Sequence, residues 1–275
     1  GRDFWQGLFK ALKGYKICNL KSFLGGVMEF SFTDEQKAFR EQVLKFSQKE
    51  LAPLAEEADW KGEFCWEAWR KMGGFGLLGL TYPEAFGGSG SDVVTACLAG
   101  EAVGQGGAEG GLCLAWGAHT YLCGDTILRH GNEEQKKKYV PKIASGEWVG
   151  AMGLTEPGAG SDAASVRTTA ARKGDTYYLN GTKMFITNGP IADVMVIIAV
   201  TDREKKGAGI SAFIVEKKYP GFSVGRELKK MGVKASTTGE LVFDECPVPA
   251  ENILRREGDG FLIALGTVEW DRSTL

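Results

Sequence analysis

The apolar pattern changes period near Gly146, and that change constrains the fold more than any other feature. Before it, apolar residues recur every three to four positions, the spacing of helix faces. Thr33 and Gln36 read as a capping box ahead of a helix carrying Phe39, Val43 and Phe46 on one face, and Pro53 is expected to close it. A second helix is expected from about Phe64 to Met72, with Trp66 and Trp69 on its buried side and Gly73 and Gly74 ending it. The stretches from Asp92 to Gly104 and from Gly110 to Leu128 place Ala, Leu and Val between their glycines, which predicts closely packed helices. Asn132 caps a charged helix through about Ala144, on which Lys136, Lys137 and Lys138 read as a solvated face.

After Gly146 the runs become short and β-rich. Tyr177 to Leu179 and Met184 to Thr187 flank Asn180-Gly181, whose left-handed preference predicts a hairpin turn. Further strand-like runs lie at Val194 to Val200, Ile210 to Val215, Phe222 to Gly225 and Glu240 to Phe243. A helical pattern resumes at Gly258 with Phe261, Leu262, Leu265 and Val268. The expected class is α+β: a helical domain over 28–148, a β domain over 149–257 and a helix over 258–275.

Residues 1–27 stand apart. Arg2, Lys10, Lys13, Lys16 and Lys21 oppose only Asp3, and Phe4, Trp5, Leu8, Phe9 and Leu12 fall on one helical face, as in a membrane-surface helix or a transit-like leader. The sequence starts with Gly, and Met28 stands just before the first helix, so a non-native or translated-upstream extension is the expectation. No apolar run approaches the roughly 20 residues of a membrane-crossing helix. A net charge of −2 over 275 residues argues against a nucleic-acid partner. Six cysteines without a CxxC pair predict buried free thiols, and two histidines without ligand spacing argue against zinc.

Two segments carry candidate chemistry. Met152 to Asp162, MGLTEPGAGSD, sets hydroxyls at Thr155 and Ser161 among small residues whose backbone a ligand can approach closely. Such a loop suits a flat heteroaromatic ring or a phosphate; a plain glycine turn between strands is the alternative. It lacks the strand-then-helix setting of a dinucleotide-binding glycine fingerprint. In Asn180 to Gly189, NGTKMFITNG, strand alternation puts Phe185 and Thr187 on one face, which a planar cofactor could stack against, although an isolated Phe is more often core.

The order and separation of these segments resemble the acyl-CoA dehydrogenase family. The resemblance extends from TDEQ at Thr33, through HTYLCGDTILRHGNEEQKKKYVPKIASGE (His119 to Glu147) and KKMGVKASTTGELVFDECPVPAENIL (Lys229 to Leu254), to EWDR at Glu269 to Arg272. It implies a helical amino-terminal domain, a β-barrel-like middle domain and a carboxy-terminal helical bundle of which residues 258–275 are the first helix, with FAD between the last two. Met152, Leu154, Thr155, Gly160 and Ser161 match cofactor-contacting positions on one wall, and Phe185, Ile186 and Thr187 match the other. Phe185 stands where the family usually has Trp, keeping an aromatic face but losing an indole donor. Ser161, Glu269 and Arg272 match positions that touch acyl-CoA.

The implied reaction is FAD-dependent α,β-dehydrogenation of an acyl-CoA to the trans-2-enoyl thioester, with electrons passing to an electron-transfer flavoprotein. A carboxylate must take the weakly acidic α-proton as the flavin takes the β-hydrogen. In most of the family that Glu lies farther along the bundle than residue 275; in a minority it stands beside the Arg of the first bundle helix, where this chain has Asp271. The resemblance further implies a homodimer or homotetramer, in the cytoplasm of a bacterium or the mitochondrial matrix of a eukaryote. An acyl-CoA oxidase or flavin monooxygenase on the same scaffold, or a non-catalytic binding fragment, are the other readings.

Overall fold

The computed structural model describes residues 30–274. The expectations for residues 1–27 lie outside the described residues. From Glu35 onward the chain forms one compact unit. Its helices are α1 (Asp34–Phe46), α2 (Ala52–Lys61), α3 (Trp66–Phe75), α4 (Val93–Gln105), α5 (Gly110–Gly117), α6 (Asp125–His130) and α7 (Glu133–Ser145), with α8 (Gly260–Thr274) after the sheet. None of the described helices is long and apolar enough to cross a membrane.

Proline and glycine act differently from the sequence expectation here. Pro53 closes nothing: α1 runs through a π-helical turn (Ser47–Leu51) into α2, and Pro53 falls in the first turn of α2. Gly73 and Gly74 lie inside α3, which ends at Gly76 with φ 88. A Cβ on Gly73 would sit 2.5 Å from the Ser145 carbonyl oxygen, so that glycine serves the close approach of α7. Trp69 is buried as expected and its Nε1–H donates to Gly146 O, but Trp66 is exposed. Asn132 does cap α7, in a reciprocal capping box with Gln135.

The sheet has seven strands: β1 (Gly150–Gly153), β2 (Thr169–Lys173), β3 (Thr176–Thr187), β4 (Val194–Val200), β5 (Ile210–Glu216), β6 (Phe222–Glu227) and β7 (Thr238–Pro249). Along it run β1, β4, β2, β3, β7 and β6, with β5 also on β4. The hairpin expected at Asn180-Gly181 is absent, because β3 is one strand through that dipeptide. Its pairing with β7 shifts register there, and the side chain of Asn180 is spent across the sheet: Oδ1 accepts the Glu245 N–H and Nδ2 donates to Glu245 Oε1, holding Glu245 at φ 45. The tight turn lies earlier, at Gly174-Asp175 between β2 and β3, with Gly174 at φ 63.

All seven residues of β4 are buried, which explains its unbroken apolar run. Val194, Val196 and Ile198 pack with Cys123, Ile127, Tyr139 and Ile143 of the helical layer and with Ile263 of α8. Met195, Ile197 and Ala199 point the other way, into a core with Phe213, Val215, Leu241 and Phe243. A continuous core thus joins helices to sheet and fixes the β1 edge against the turn after α5.

A buried polar group secures the same junction from behind. Glu216, 2% exposed, accepts from Tyr139 Oη at 2.9 Å and pairs with Lys138 at 2.8 Å and Lys218 at 2.7 Å. Lys138 is therefore bound to the sheet and is no simple solvated lysine. Desolvation pushes the Glu216 carboxyl up, but these donors outweigh it and bring the pKa down to about 2 from 4.5. A carboxyl lowered on folding stabilises fully above 4.5, and the contribution is lost as pH falls towards 2. Glu216→Gln is expected to cost about 1–2 kcal/mol near neutral pH, since Lys138 is half exposed, Lys218 mostly exposed, and both pairs are partly screened. Urea melts of both proteins should show that difference at pH 7 and its shrinkage towards pH 2; a constant difference would contradict it.

Candidate functional site

The walls of the candidate site meet where the β1 edge passes a π-helical turn, Ala118–Gly124. That turn aims Ala118 and Leu122 at Met152, Leu154 and Thr155 on one side and at Phe185, Ile186 and Thr187 on the other, with Val268 of α8 closing the end. The result is an open cleft of about 150 Å³. Two segments some 30 residues apart in sequence become opposite walls of one cleft.

The bend of each wall has a local cause. Between Lys183 and Ile186, β3 carries one residue more than β7, and the bulge forces Phe185 to φ 60. Phe185 is left 60% exposed at the cleft mouth. The next turn depends on Asn188, fully buried at φ 64, whose Nδ2 donates to Ala115 O at 2.8 Å and Gly150 O at 3.1 Å. The opposite wall is anchored by His119: Gly150 N–H donates to Nδ1, and Nε2–H donates to Ile143 O, both at 2.9 Å. Burial pushes that imidazole down to about 3, so it stays neutral and works as a two-ended brace.

Behind the walls lies a buried ion pair. Lys183, with no exposed surface, donates through Nζ to Glu156 Oε1 at 2.7 Å and Leu154 O at 3.1 Å. The same carboxylate accepts the Thr168 N–H at 3.0 Å and the Arg167 N–H at 2.6 Å. Desolvation pushes Glu156 up, and Lys183 with the other donors more than offsets it, leaving the carboxyl below its ordinary range. Desolvation lowers the Lys183 ammonium to about 8, against the pull of Glu156, so both are charged at neutral pH.

The residues singled out from sequence divide into three groups. Met152, Leu154, Thr155, Phe185, Ile186 and Thr187 come together in the cleft. Gly160 and Ser161 are exposed farther along the loop after β1, outside the cleft lining. Glu269 and Arg272 are exposed on α8, whereas Asp271 is 8% exposed and not a cleft residue. Burial pushes the Asp271 carboxyl up to about 6, Arg272 opposing. Sequence reasoning missed Ala118, Leu122 and Val268, which carry no polar signal, and also Lys183, Glu156 and Asn188. A charged residue on the strand face that carries Tyr177 and Leu179 was the available clue to Lys183.

The wall residues suit a planar, polar-edged ligand. The hydroxyls of Thr155 and Thr187 line the cleft, half buried, and neither has a hydrogen-bond partner among the described residues. Four apolar side chains, Met152, Leu154, Ile186 and Val268, flank them. Gly158 and Gly160 have nothing within 4 Å of where a Cβ would stand, leaving their backbone open to a ligand.

Comparison with known proteins agrees with this geometry. The family model described as acyl-CoA dehydrogenase, N-terminal domain, matches residues 33–147, and that for the middle domain matches 151–246. Over 245 residues the chain is 45% identical to a short-chain specific acyl-CoA dehydrogenase of Clostridium acetobutylicum, covering 89% of this chain and 64% of that protein. It is 44% identical over 247 residues to the mitochondrial isovaleryl-CoA dehydrogenase of Pongo abelii, covering 88% and 58%. The solved structure of butyryl-CoA dehydrogenase from Megasphaera elsdenii superposes with a TM-score of 0.84 at 41% identity, over 89% of this chain and 64% of that one. The chain thus spans about three fifths of the length of these relatives.

The left-handed Phe185 gives a direct test of wall strain. A non-glycine residue there costs about 1–2 kcal/mol, and glycine gives back about 0.4–1 kcal/mol through the unfolded chain. Phe185→Gly is therefore expected to raise the melting temperature by the equivalent of up to about 1 kcal/mol. A clear fall would show that contacts of the ring, and not bulge strain, dominate at this position.

Proposed function

The chain belongs to the acyl-CoA dehydrogenase family, and on that premise we propose that its cleft is one face of an FAD site in an enzyme that removes hydrogen from the α and β carbons of an acyl-CoA thioester. The observation that carries the reading is the convergence of Thr155 and Thr187 with the aromatic face of Phe185: two unsatisfied hydroxyls beside a flat apolar surface. Bound FAD would supply the hydride acceptor.

Within that reading each wall has a task. Thr155 and Thr187 would hold the polar rim of the ring by hydrogen bonds, and Phe185 would offer its aromatic face to it. Met152, Leu154, Ile186 and Val268 keep water from the reacting edge, which strengthens every polar contact there. Ser161, with Gly160 on the open stretch of the loop, is proposed to meet the phosphate-bearing arms of cofactor and substrate, and exposed Glu269 and Arg272 are proposed to meet acyl-CoA. No residue lining the cleft is a carboxylate. Asp271 has the raised carboxyl of an acid–base group but is buried outside the cleft lining, so α-proton abstraction is not assigned to it. An electron-transfer flavoprotein as acceptor and a homodimeric or homotetrameric assembly complete the proposal.

Titration of FAD against the purified chain, followed by quenching of flavin fluorescence, is expected to show saturable binding. Thr155→Val and Thr187→Val should each weaken it about tenfold, the worth of one well-made hydrogen bond to a polar ligand. Binding that ignores both substitutions would remove the cleft from the cofactor site.

A further inference from the structure

The flavin reading leaves the buried ammonium of Lys183 without a task. Lys183 belongs to β3 two residues before Phe185, while its ammonium grips the carbonyl of Leu154 and the carboxylate of Glu156 on the opposite wall. Its aliphatic stem lies under β1: a Cβ on Gly153 would stand 3.2 Å from Lys183 Cγ. The backbone repeats the link, since Met184 N–H donates to Thr155 O at 2.8 Å. As a stabilising device such a pair is poor, because taking two charges out of water costs about as much as their attraction returns, and apolar replacements are often neutral. Two backbone N–H donors, at Arg167 and Thr168, hold the Glu156 carboxylate alongside Lys183, whose charge is the largest influence opposing its desolvation.

We propose that Lys183 is a positioning residue of the cleft whose ammonium neutralises Glu156 and so biases the site towards a cofactor that has gained electrons. This rests on the flavin reading above. With Lys183 present the wall behind Leu154 and Thr155 is an oriented ion pair of zero net charge, its positive end on the carbonyl of a cleft residue. Without it the Arg167 and Thr168 N–H groups hold a buried carboxylate alone, and where that carboxylate keeps its charge, negative charge arriving in the cleft meets repulsion that water and salt hardly screen. Retaining the pair therefore favours the reduced cofactor over the oxidised one even though it adds little to folding.

The test measures the two-electron midpoint potential of FAD bound to the chain, by equilibration with a reference dye during slow reduction. Lys183→Gln retains a donor for Leu154 O but removes the charge, Lys183→Met removes both, and Lys183→Arg keeps the charge. Gln and Met are expected to make reduction at least tenfold less favourable, about 30 mV more negative, with Arg within twofold of the parent. A parent potential in the Gln variant, or an equal shift in the Arg variant, would overturn the assignment while leaving the flavin reading intact. If Gln and Met fail to fold while Arg folds with the parent potential, the pair is a folding element and the assignment is equally overturned. If the parent chain takes up no FAD, the flavin reading falls first and this inference with it.

Discussion

The cleft depends on a set of polar bonds that share one target, the backbone from Gly150 to Thr155. The Gly150 N–H goes to His119, Gly150 O to Asn188, Leu154 O to Lys183 and Thr155 O to the Met184 N–H. β1 pairs with β4 along one side only, so its other edge needs partners, and these groups provide them. Neutral His119, left-handed Asn188 and charged Lys183 come from three elements, which is why the walls are held in register without a further strand.

The same bonds explain how a short chain segment can serve chemistry. A wall of β-sheet alone would be flat and self-satisfied. Here the bulge at Phe185 breaks the ladder to β7 and exposes an aromatic face, and the hydroxyls of Thr155 and Thr187 beside it are unspent. The core on both faces of β4 provides the rigidity against which these irregular pieces are set. Apolar burial holds the helical layer and the sheet together, and a few buried polar groups decide the shape of the groove between them.

Periodicity made the two-part architecture legible, and the buried strand Val194–Val200 was readable to the residue because an apolar run seven long has few other uses. Helix ends were less legible. Pro53 and Gly73 look like breakers in sequence, but Pro at the first turn of a helix is harmless and Gly73 answers a contact with Ser145 that only the tertiary structure supplies. The Asn180-Gly181 turn failed for a related reason: the stronger local signal lost to a cross-strand use of the Asn180 side chain, while the weaker Gly174-Asp175 signal made the turn. In the site, the cleft residues matched by motif were found, and the groups that hold them were not. Lys183 and Glu156 gain meaning only as a pair, and their 27-residue separation carries no sequence signature.

The central claim is that Met152 to Thr155 and Phe185 to Thr187 are opposing parts of one cofactor wall. A crystal structure of the chain with FAD tests it most directly. The account predicts the flavin ring seated between Thr155, Phe185 and Thr187, with both hydroxyls hydrogen-bonded to its rim and the Lys183–Glu156 pair unbroken behind it. A ring bound elsewhere on the chain, with this cleft filled only by water, would contradict it.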